Sequence, residues 1–136
     1  MLDTNVLVSA LLKPGGNPAR VLDLVVGGAL ILLWDSRILY EYREVLRRSK
    51  FSLDALLVDD LVALLEKIGE SVTPLPLSYS IPDQDDLPFL EVALGGCAAA
   101  LVTGNTKDYG PSVKGLSIVN PADFLRIFGR EKKQSS

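Results

Sequence analysis

Hydrophobic residues follow two patterns along this chain, and the two patterns alternate. A continuous apolar run at 29–34 is typical of a strand buried in a parallel sheet, and segments rich in apolar residues at 72–75, 99–103 and 116–119 are predicted strands as well. Between these segments, apolar residues recur at helical spacing, which predicts helices with one apolar face. Strands separated by helices imply right-handed crossovers. We therefore predict an α/β fold with a central parallel sheet that is covered by helices on both faces.

Capping residues and breakers locate the ends of the predicted helices. The segment Pro14 to Gly16 ends the first helix, and Asn17, which is followed by proline, caps the second. Asp35 and Ser36 cap the third helix. Apolar residues at helical spacing mark the fourth, and they are Leu57, Leu61, Leu64, Leu65 and Ile68. The predicted helices are 5–12, 17–28, 35–48, 52–68, 86–95 and 121–128.

Length and composition are those of one soluble globular domain. The chain has 136 residues, of which 48% are hydrophobic and 23% charged. We predict a single domain over 1–129 and a disordered tail over 130–136. No apolar run reaches the roughly 18 residues that span a bilayer, and no basic segment of a signal peptide precedes the first apolar run. A single cysteine, Cys97, fits a reducing cytoplasm, and its Ala/Gly-rich surroundings predict that it packs in the core.

Charge is unevenly distributed over the sequence. The net charge of −3 argues against attraction of the whole molecule to nucleic acid. A basic cluster of Arg43, Arg47, Arg48 and Lys50 nevertheless offers a local surface for a phosphate backbone. A solvated helix face explains this cluster equally well.

Carboxylates and short polar residues fall where the predicted sheet would carry a site. Asp3 comes directly before the first helix, followed by Thr4 and Asn5, and Asp83, Asp85 and Asp86 crowd the start of another helix. Helix capping is the alternative for each group. One acid suffices for a cap, however, and Asp86 starts on the buried side of its helix. Of these acids, Asp3 and Asp86 are therefore the stronger candidates, while Asp83 is an alternate ligand.

Glu41 is a third candidate carboxylate, and helical geometry places it beside the apolar stripe of its helix. It lies three residues after Ile38 and four before Val45, both on the apolar stripe, whereas Glu44 is rotated towards solvent. An ion pair with Arg37 or Arg48 is the alternative explanation for Glu41.

The turn after the strand 99–103 supplies further oxygen ligands. Gly104 allows the backbone to approach a ligand closely, and Asn105 offers an amide oxygen. Asp108 lies in the same loop and is a candidate alternate ligand. A simple Gly-Asn turn is the alternative.

The donor set indicates which metal such a site would take. Carboxylates gathered in one fold repel each other unless a cation joins them. The sequence contains no histidine, so the usual zinc ligands and the commonest general base are absent. Oxygen-only coordination favours Mg²⁺ or Mn²⁺.

The chain as a whole resembles the PIN-domain family, in particular the VapC-like toxin components of toxin–antitoxin systems. The resemblance rests on DTNVLVSALL, EYREVLRR, DQDDLPFLEVAL, LVTGN and NPADFL, in this order and spacing. It implies a three-layer α/β/α sandwich, a Mg²⁺- or Mn²⁺-dependent endoribonuclease, an antitoxin partner and a homodimer. The Leu/Val-rich helix 53–68 fits part of the dimer interface, and its apolar stripe fits the core equally well. By position, Asp3, Glu41 and Asp86 match the family's acidic ligands, and Asn105 stands where many members have a fourth aspartate.

The resemblance leads to a functional hypothesis with two alternatives. The hypothesis is hydrolysis of RNA by a metal-activated water, with Thr4 or Asn5 orienting a ligand or a phosphate oxygen. One alternative is a catalytically weak PIN-like module that binds nucleic acid or a partner protein, favoured by Asn105 and by a short first strand. The other is a phosphatase or phosphotransferase of the haloacid-dehalogenase type, which is disfavoured because Asn5 occupies the position of its second aspartate.

Overall fold

A computed structural model describes residues 1–77, 84–109 and 115–135 of the protein, with side chains as far as Gly129. The α-helices are α1 (Thr4–Leu12), α2 (Asn17–Val26), α3 (Ser36–Leu46), α4 (Ala55–Ile68), α5 (Leu87–Gly95) and α6 (Pro121–Ser135). The strands are β1 (Leu33–Trp34), β2 (Glu70–Ser71), β3 (Ala100–Val102) and β4 (Ser117–Val119). Short 3₁₀ helices span Ser49–Phe51, Gln84–Asp86 and Thr106–Tyr109. The fold is therefore α/β, as the alternating pattern predicts.

The strands pair in parallel. β1 pairs with β2 and β3 pairs with β4, which gives two short sheets within the described residues. Leu2 forms a parallel bridge with Val102, and the Asp3 N–H donates to the Val102 carbonyl over 2.9 Å. Asp3 and Thr103 therefore follow the carboxyl ends of adjacent paired segments, which is where sites form in parallel sheets.

Helices cover the strands and close the core. α1 packs against α2 and α3, α3 packs against α4, and α2 packs against α6. Tyr42 of α3 and Phe89 of α5 are fully buried, with ring centroids 6.3 Å apart. The Tyr42 hydroxyl donates to the Leu2 carbonyl over 2.6 Å, so α3 is attached to the segment directly before Asp3. Among the described helices, none combines the length and the hydrophobicity that crossing a bilayer requires.

The strands are shorter than the apolar runs predict. Of the predicted strand 29–34, only Leu33–Trp34 pairs, and Ile31 is 62% exposed. The second strand is Glu70–Ser71, just before the predicted 72–75. Hydrophobicity reports burial rather than pairing, because an apolar residue can be buried by a helix outside any ladder. A sheet that is continuous through both strand pairs is not formed in the described part of the chain.

The predicted helices are present, but with different ends. Gly16 rather than Asn17 occupies the cap position of α2, and α3 ends at Leu46, before the 3₁₀ helix Ser49–Phe51. The backbone of α6 continues to Ser135, beyond the predicted end of that helix at Phe128.

The structure bears on two statements about burial. In α4 the buried residues are Val58, Val62 and Leu65, whereas three residues of the predicted stripe are exposed: Leu57 by 69%, Leu64 by 36% and Ile68 by 39%. Those three residues therefore lie outside the core, because periodicity identifies an apolar face without showing which neighbour covers it. Cys97 is exposed and has a positive φ of 53°, so the prediction that it packs in the core is wrong.

Candidate functional site

A cleft of about 420 Å³ opens just after Leu2 and beside the carboxyl end of β3. It is lined by residues from the start of α1, from α3 and the turn after it, from the start of α5, and from the loop after β3. The predicted site residues that line it are Asp3, Thr4, Asn5, Glu41, Arg48, Asp86, Asn105 and Asp108. The fold therefore brings together side chains from distant parts of the sequence.

Asp3 is buried at the base of this cleft, with 5% of its surface exposed. It occupies the cap position of α1, and the backbone N–H groups of Thr4 and Asn5 lie near enough to lower its pKa, so Asp3 contacts the start of the helix as well as the cleft. The side-chain hydroxyls of Thr103 and Tyr109 donate to Asp3 Oδ2 over 2.8 and 2.9 Å. Burial raises the pKa of Asp3, and the hydrogen bonds from Thr103 and Tyr109 oppose that rise. The carboxylate is thus held in one orientation.

Glu41 lies next to Asp3 and is half-buried, while Glu44 is exposed, as the helical geometry predicts. The Thr4 hydroxyl donates to Glu41 Oε2, which links α1 to α3 at the site. Burial is the main cause that raises the pKa of Glu41. The negative charges of Asp3 and Asp85 raise it further, against the Thr4 hydrogen bond. The pKa of Glu41 therefore depends on the charges of the neighbouring carboxylates.

Glu41 does not form the alternative ion pair with Arg37 or Arg48. Arg37 instead pairs with Asp35 over 2.8 Å and with Glu91 over 2.9 Å. Arg48 lowers the pKa of Glu41 by its charge, but the two side chains do not form a salt bridge.

Asp86 reaches the cleft from the cap position of α5, where its side chain makes no capping hydrogen bond. By contrast, Asp35 and Asp54 both cap their helices through their side chains, with Ile38 and Leu56 as donors. Asp85 is close enough to raise the pKa of Glu41, and Asp83 lies outside the described residues. Asp35 and Asp54 are therefore caps that lie outside the cleft, whereas Asp86 lines it.

The loop after β3 forms the opposite wall. Gly104 N–H donates to Asn5 Oδ1 over 3.0 Å, and a Cβ at Gly104 would lie 3.4 Å from that oxygen, at van der Waals contact distance. Asn105 N–H donates to the Thr103 hydroxyl over 3.1 Å, and Asp108 N–H donates to the Asn105 carbonyl over 3.0 Å. These hydrogen bonds use the backbone of the loop. The side chains of Asn105 and Asp108, two residues that line the cleft, therefore both remain candidate ligands.

The predicted basic cluster divides in the structure. Arg47 pairs with Asp59 over 3.0 Å, and Arg43 approaches the same carboxylate at 3.6 Å, on the side of α3 that faces α4. Arg48 alone of the three lines the cleft. The sequence could not show which arginine faces the cleft, because Arg43, Arg47 and Arg48 all lie near the same end of α3.

Tyr109 is the site residue that sequence reasoning missed. It is buried in the 3₁₀ helix after β3, and it lies 106 positions from Asp3, the carboxylate that it contacts. Burial raises the pKa of its phenol far above the ordinary value, so the hydroxyl remains a donor at every physiological pH. Its neighbours in the sequence are polar or turn-forming, with Lys107 and Asp108 before it and Gly110 and Pro111 after it, and nothing there indicates a carboxylate partner.

The donor set fits a hard divalent cation in its chemistry. Carboxylate and amide oxygens converge on the cleft, and such ligands are those that Mg²⁺ and Mn²⁺ prefer. In the described part of the chain, however, no three acidic side chains approach closely enough to hold one ion together. The charge of Asp3 raises the pKa of Glu41, so the two carboxylates repel each other when no cation is bound.

A sequence model of the PIN-domain family matches residues 1–107. The match covers most of the chain and includes α1, α3, α5 and the loop that carries Asn105. The chain therefore belongs to the PIN-domain family, whose members are generally metal-dependent nucleases. Comparison with curated proteins and with solved structures gave no match.

Proposed function

We propose that this protein is a metal-dependent endoribonuclease that hydrolyses RNA phosphodiesters. The observation that carries the proposal is the convergence of Asp3, Glu41 and Asp86 on one cleft, from three separate helices. Asp3 and Asp86 stand at the amino ends of α1 and α5, and both line the cleft. A PIN-domain family match over the same segments supports nuclease chemistry.

The residues of the cleft have distinct roles in this proposal. Asp3, Glu41 and Asp86 hold Mg²⁺ or Mn²⁺, and Asn105 or Asp108 completes the oxygen ligands. When bound, the cation lowers the pKa of a water and stabilises the leaving oxygen. The hydroxyls of Thr4, Thr103 and Tyr109 orient the carboxylates, as groups behind metal ligands commonly do. Hydrolysis by this route requires no histidine.

A catalytically weak PIN-like module that binds RNA or a protein is the second candidate. Two observations favour it. Asn105 brings a dipole where a carboxylate would bring a charge, and no three described acids are grouped around one point. Such a module would bind single-stranded RNA without cleaving it.

Cleavage of a labelled single-stranded RNA in Mn²⁺ and in EDTA distinguishes the two candidates. The nuclease proposal expects Mn²⁺-dependent cleavage that Asp86→Asn and Asp3→Asn abolish. The exposed Asp60→Asn serves as a matched control and should cleave normally. Millimolar Mn²⁺ should also raise the Tm, because a ligand of the folded state adds RT ln(1 + [L]/Kd). RNA binding without any cleavage would favour the binding module. An unchanged Tm together with no binding of Mn²⁺ would contradict the proposed metal site.

Larger-scale properties complete the proposal. We infer that the two short parallel sheets are parts of one central sheet in an α/β/α sandwich. The bridge between Leu2 and Val102 adds a third parallel segment to the β3–β4 pair. We further propose that the protein is the cytoplasmic toxin of a toxin–antitoxin pair and works as a homodimer. A short reading frame adjacent to its own, whose product neutralises the nuclease, would test the toxin role.

A further inference from the structure

The candidate cleft has two ends of different chemistry. Glu41, Val45 and Arg48 are spaced by four and three residues, so they follow one another along the same side of α3 and the turn after it. Seven residues of helix advance about 10 Å. The cleft therefore runs from a carboxylate, past an aliphatic side chain, to a guanidinium.

The end marked by Arg48 is aromatic as well as basic. Phe51, in the 3₁₀ helix Ser49–Phe51, is half-buried and lines the cleft, as does Val8 of α1. Lys50 Nζ lies 5.1 Å from the centroid of the Phe51 ring, which places a second cation at this end. Ser52 follows with a positive φ of 53°, so the chain reverses sharply after the ring.

Arg48 is available for a ligand. It is exposed, and in the part of the chain that the structure describes it forms no salt bridge, whereas Arg43 and Arg47 both lie against Asp59. It is also the one cation among the described residues that line the cleft. A phosphate that enters the cleft would meet repulsion from the acids and attraction at Arg48.

We propose that Arg48 and Phe51 form a nucleotide subsite beside the reacting phosphate, in which the base stacks on Phe51 and a phosphate pairs with Arg48. This inference rests on the proposed function and names its substrate as single-stranded RNA. Every base has a π face, and the bases of a single strand are free to stack on an aromatic side chain, whereas those of a duplex are not. Val45, which also lines the cleft, lies between Glu41 and Arg48 along α3 and the turn after it, and so separates this subsite from the acidic end where the reacting phosphate would lie.

The test measures binding of a short single-stranded RNA that carries 2-aminopurine, whose fluorescence falls on stacking. All variants are made in an Asp86→Asn background, so that the RNA stays intact. Phe51→Leu should weaken binding on the order of tenfold and abolish the fluorescence change, while Phe51→Trp should retain both. Phe128→Leu, which alters a half-buried ring on α6, is the matched control and should bind normally.

A salt series tests the arginine. Arg48→Gln should weaken binding and lower the dependence of log K on log salt by about one unit, because one phosphate contact is lost. Arg47→Gln is the matched control, since its guanidinium is held by Asp59, and its salt dependence should match that of the parent.

The outcomes separate the subsite from the nuclease proposal. Equal affinity and equal fluorescence for Phe51→Leu and Phe128→Leu would overturn the subsite, and metal-dependent cleavage by the unmodified protein would still support the nuclease. A parent that neither binds nor cleaves RNA would overturn both. If Phe51→Leu does not fold, Phe51→Trp and Arg48→Gln decide, and loss of the fluorescence change in Phe51→Trp counts against stacking.

Discussion

At the scale of single residues, hydroxyl groups organise the acidic end of the cleft. Thr103 and Tyr109 donate to Asp3, and Thr4 donates to Glu41. A carboxylate that is held in this way keeps its orientation while it waits for a cation, so less entropy is lost when the cation binds. The chemistry of the site therefore depends on uncharged residues as well as on the acids.

Tyr109→Phe should weaken Mn²⁺ binding by roughly tenfold, because Asp3 loses one of the groups that orient it. The loss of a buried hydrogen bond should also cost about 1 kcal/mol of unfolding free energy. Tyr42→Phe removes a buried hydroxyl that donates to the Leu2 carbonyl. It should lower the unfolding free energy by a similar amount without lowering the affinity for Mn²⁺. Calorimetric titration and urea unfolding of both variants provide the comparison, and equal Mn²⁺ affinities would refute a role for Tyr109.

Asp3→Asn should stabilise the metal-free protein at pH 7 by roughly 1 kcal/mol. The pKa of Asp3 is raised above its ordinary value of 3.8, so the folded state disfavours the ionised form. The resulting cost is absent below the unfolded pKa, develops as the pH rises from there through the raised folded pKa, and is constant above it. The gain should therefore vanish near pH 3. Urea unfolding in EDTA across this range, with Asp60→Asn as the control, measures it, and a loss of stability at pH 7 would show that Asp3 is structural.

Asn105→Asp should tighten Mn²⁺ binding, because a carboxylate is a stronger ligand for a hard cation than an amide. In EDTA the same change should lower stability slightly, through repulsion by the other acids of the cleft. If Asp108 already acts as the fourth carboxylate, the gain disappears and Asp108→Asn weakens Mn²⁺ binding instead. Titration of the two single variants and the double variant decides between them. Unchanged affinity in all three would place this loop outside the metal site.

At the scale of secondary-structure elements, an ion-pair network ties together the helices that position the acids. Arg37 of α3 bridges Asp35 and Glu91, and the second carboxylate oxygen of Glu91 accepts the Leu77 N–H over 2.9 Å. Asp35 and Glu91 are both buried. Since α3 carries Glu41 and α5 follows Asp86, this network sets the separation of two candidate ligands.

Arg37→Gln should destabilise the protein by about 2 kcal/mol, because two buried carboxylates lose their cation. The cost is below that of a fully buried pair, since solvent screens the half-exposed guanidinium. Mn²⁺ affinity should fall as well, because α3 and α5 are no longer held together. Arg126→Gln breaks the exposed pair with Asp123 and should change neither quantity. Urea unfolding and Mn²⁺ titration test both effects, and retained metal affinity would limit the network to a structural role.

At the scale of the whole molecule, α4 presents apolar residues to solvent. Its inner face packs in the core, while Leu57, Leu64 and Ile68 remain exposed along the outer face. These residues are spaced by seven and four positions, so they form one stripe. A second copy of the chain would bury this stripe, as the proposed homodimer requires.

Leu57→Glu should convert the dimer to a monomer with little loss of stability, because Leu57 is 69% exposed in the single chain. Leu12→Glu places the same charge at another exposed leucine, on α1, and should leave the dimer intact. Size-exclusion chromatography with light scattering reads the mass directly. A parent protein that is monomeric at every concentration would contradict the dimer.

Local features of the sequence predicted much of the fold. The α/β class followed from alternating apolar patterns, and the third helix begins at its predicted cap because Asp35 accepts the Ile38 N–H. Asp3 and Glu41 were identified from position and periodicity, and the structure brings both to the cleft. Strand lengths were predicted less well, because a strand ends where its partner ends, and a single apolar run contains no information about the partner.

The sequence by itself determined which elements form, and it determined that any metal site must use oxygen ligands, since both depend on residue identity and on neighbours a few positions away. Only the tertiary structure decided that Tyr109 holds Asp3, that Arg48 rather than Arg47 faces the cleft, and that the outer stripe of α4 is exposed. These outcomes depend on contacts between residues that lie far apart in the chain, such as the 106 positions between Asp3 and Tyr109. Packing brings such residues together, and no local pattern records which pairs will meet.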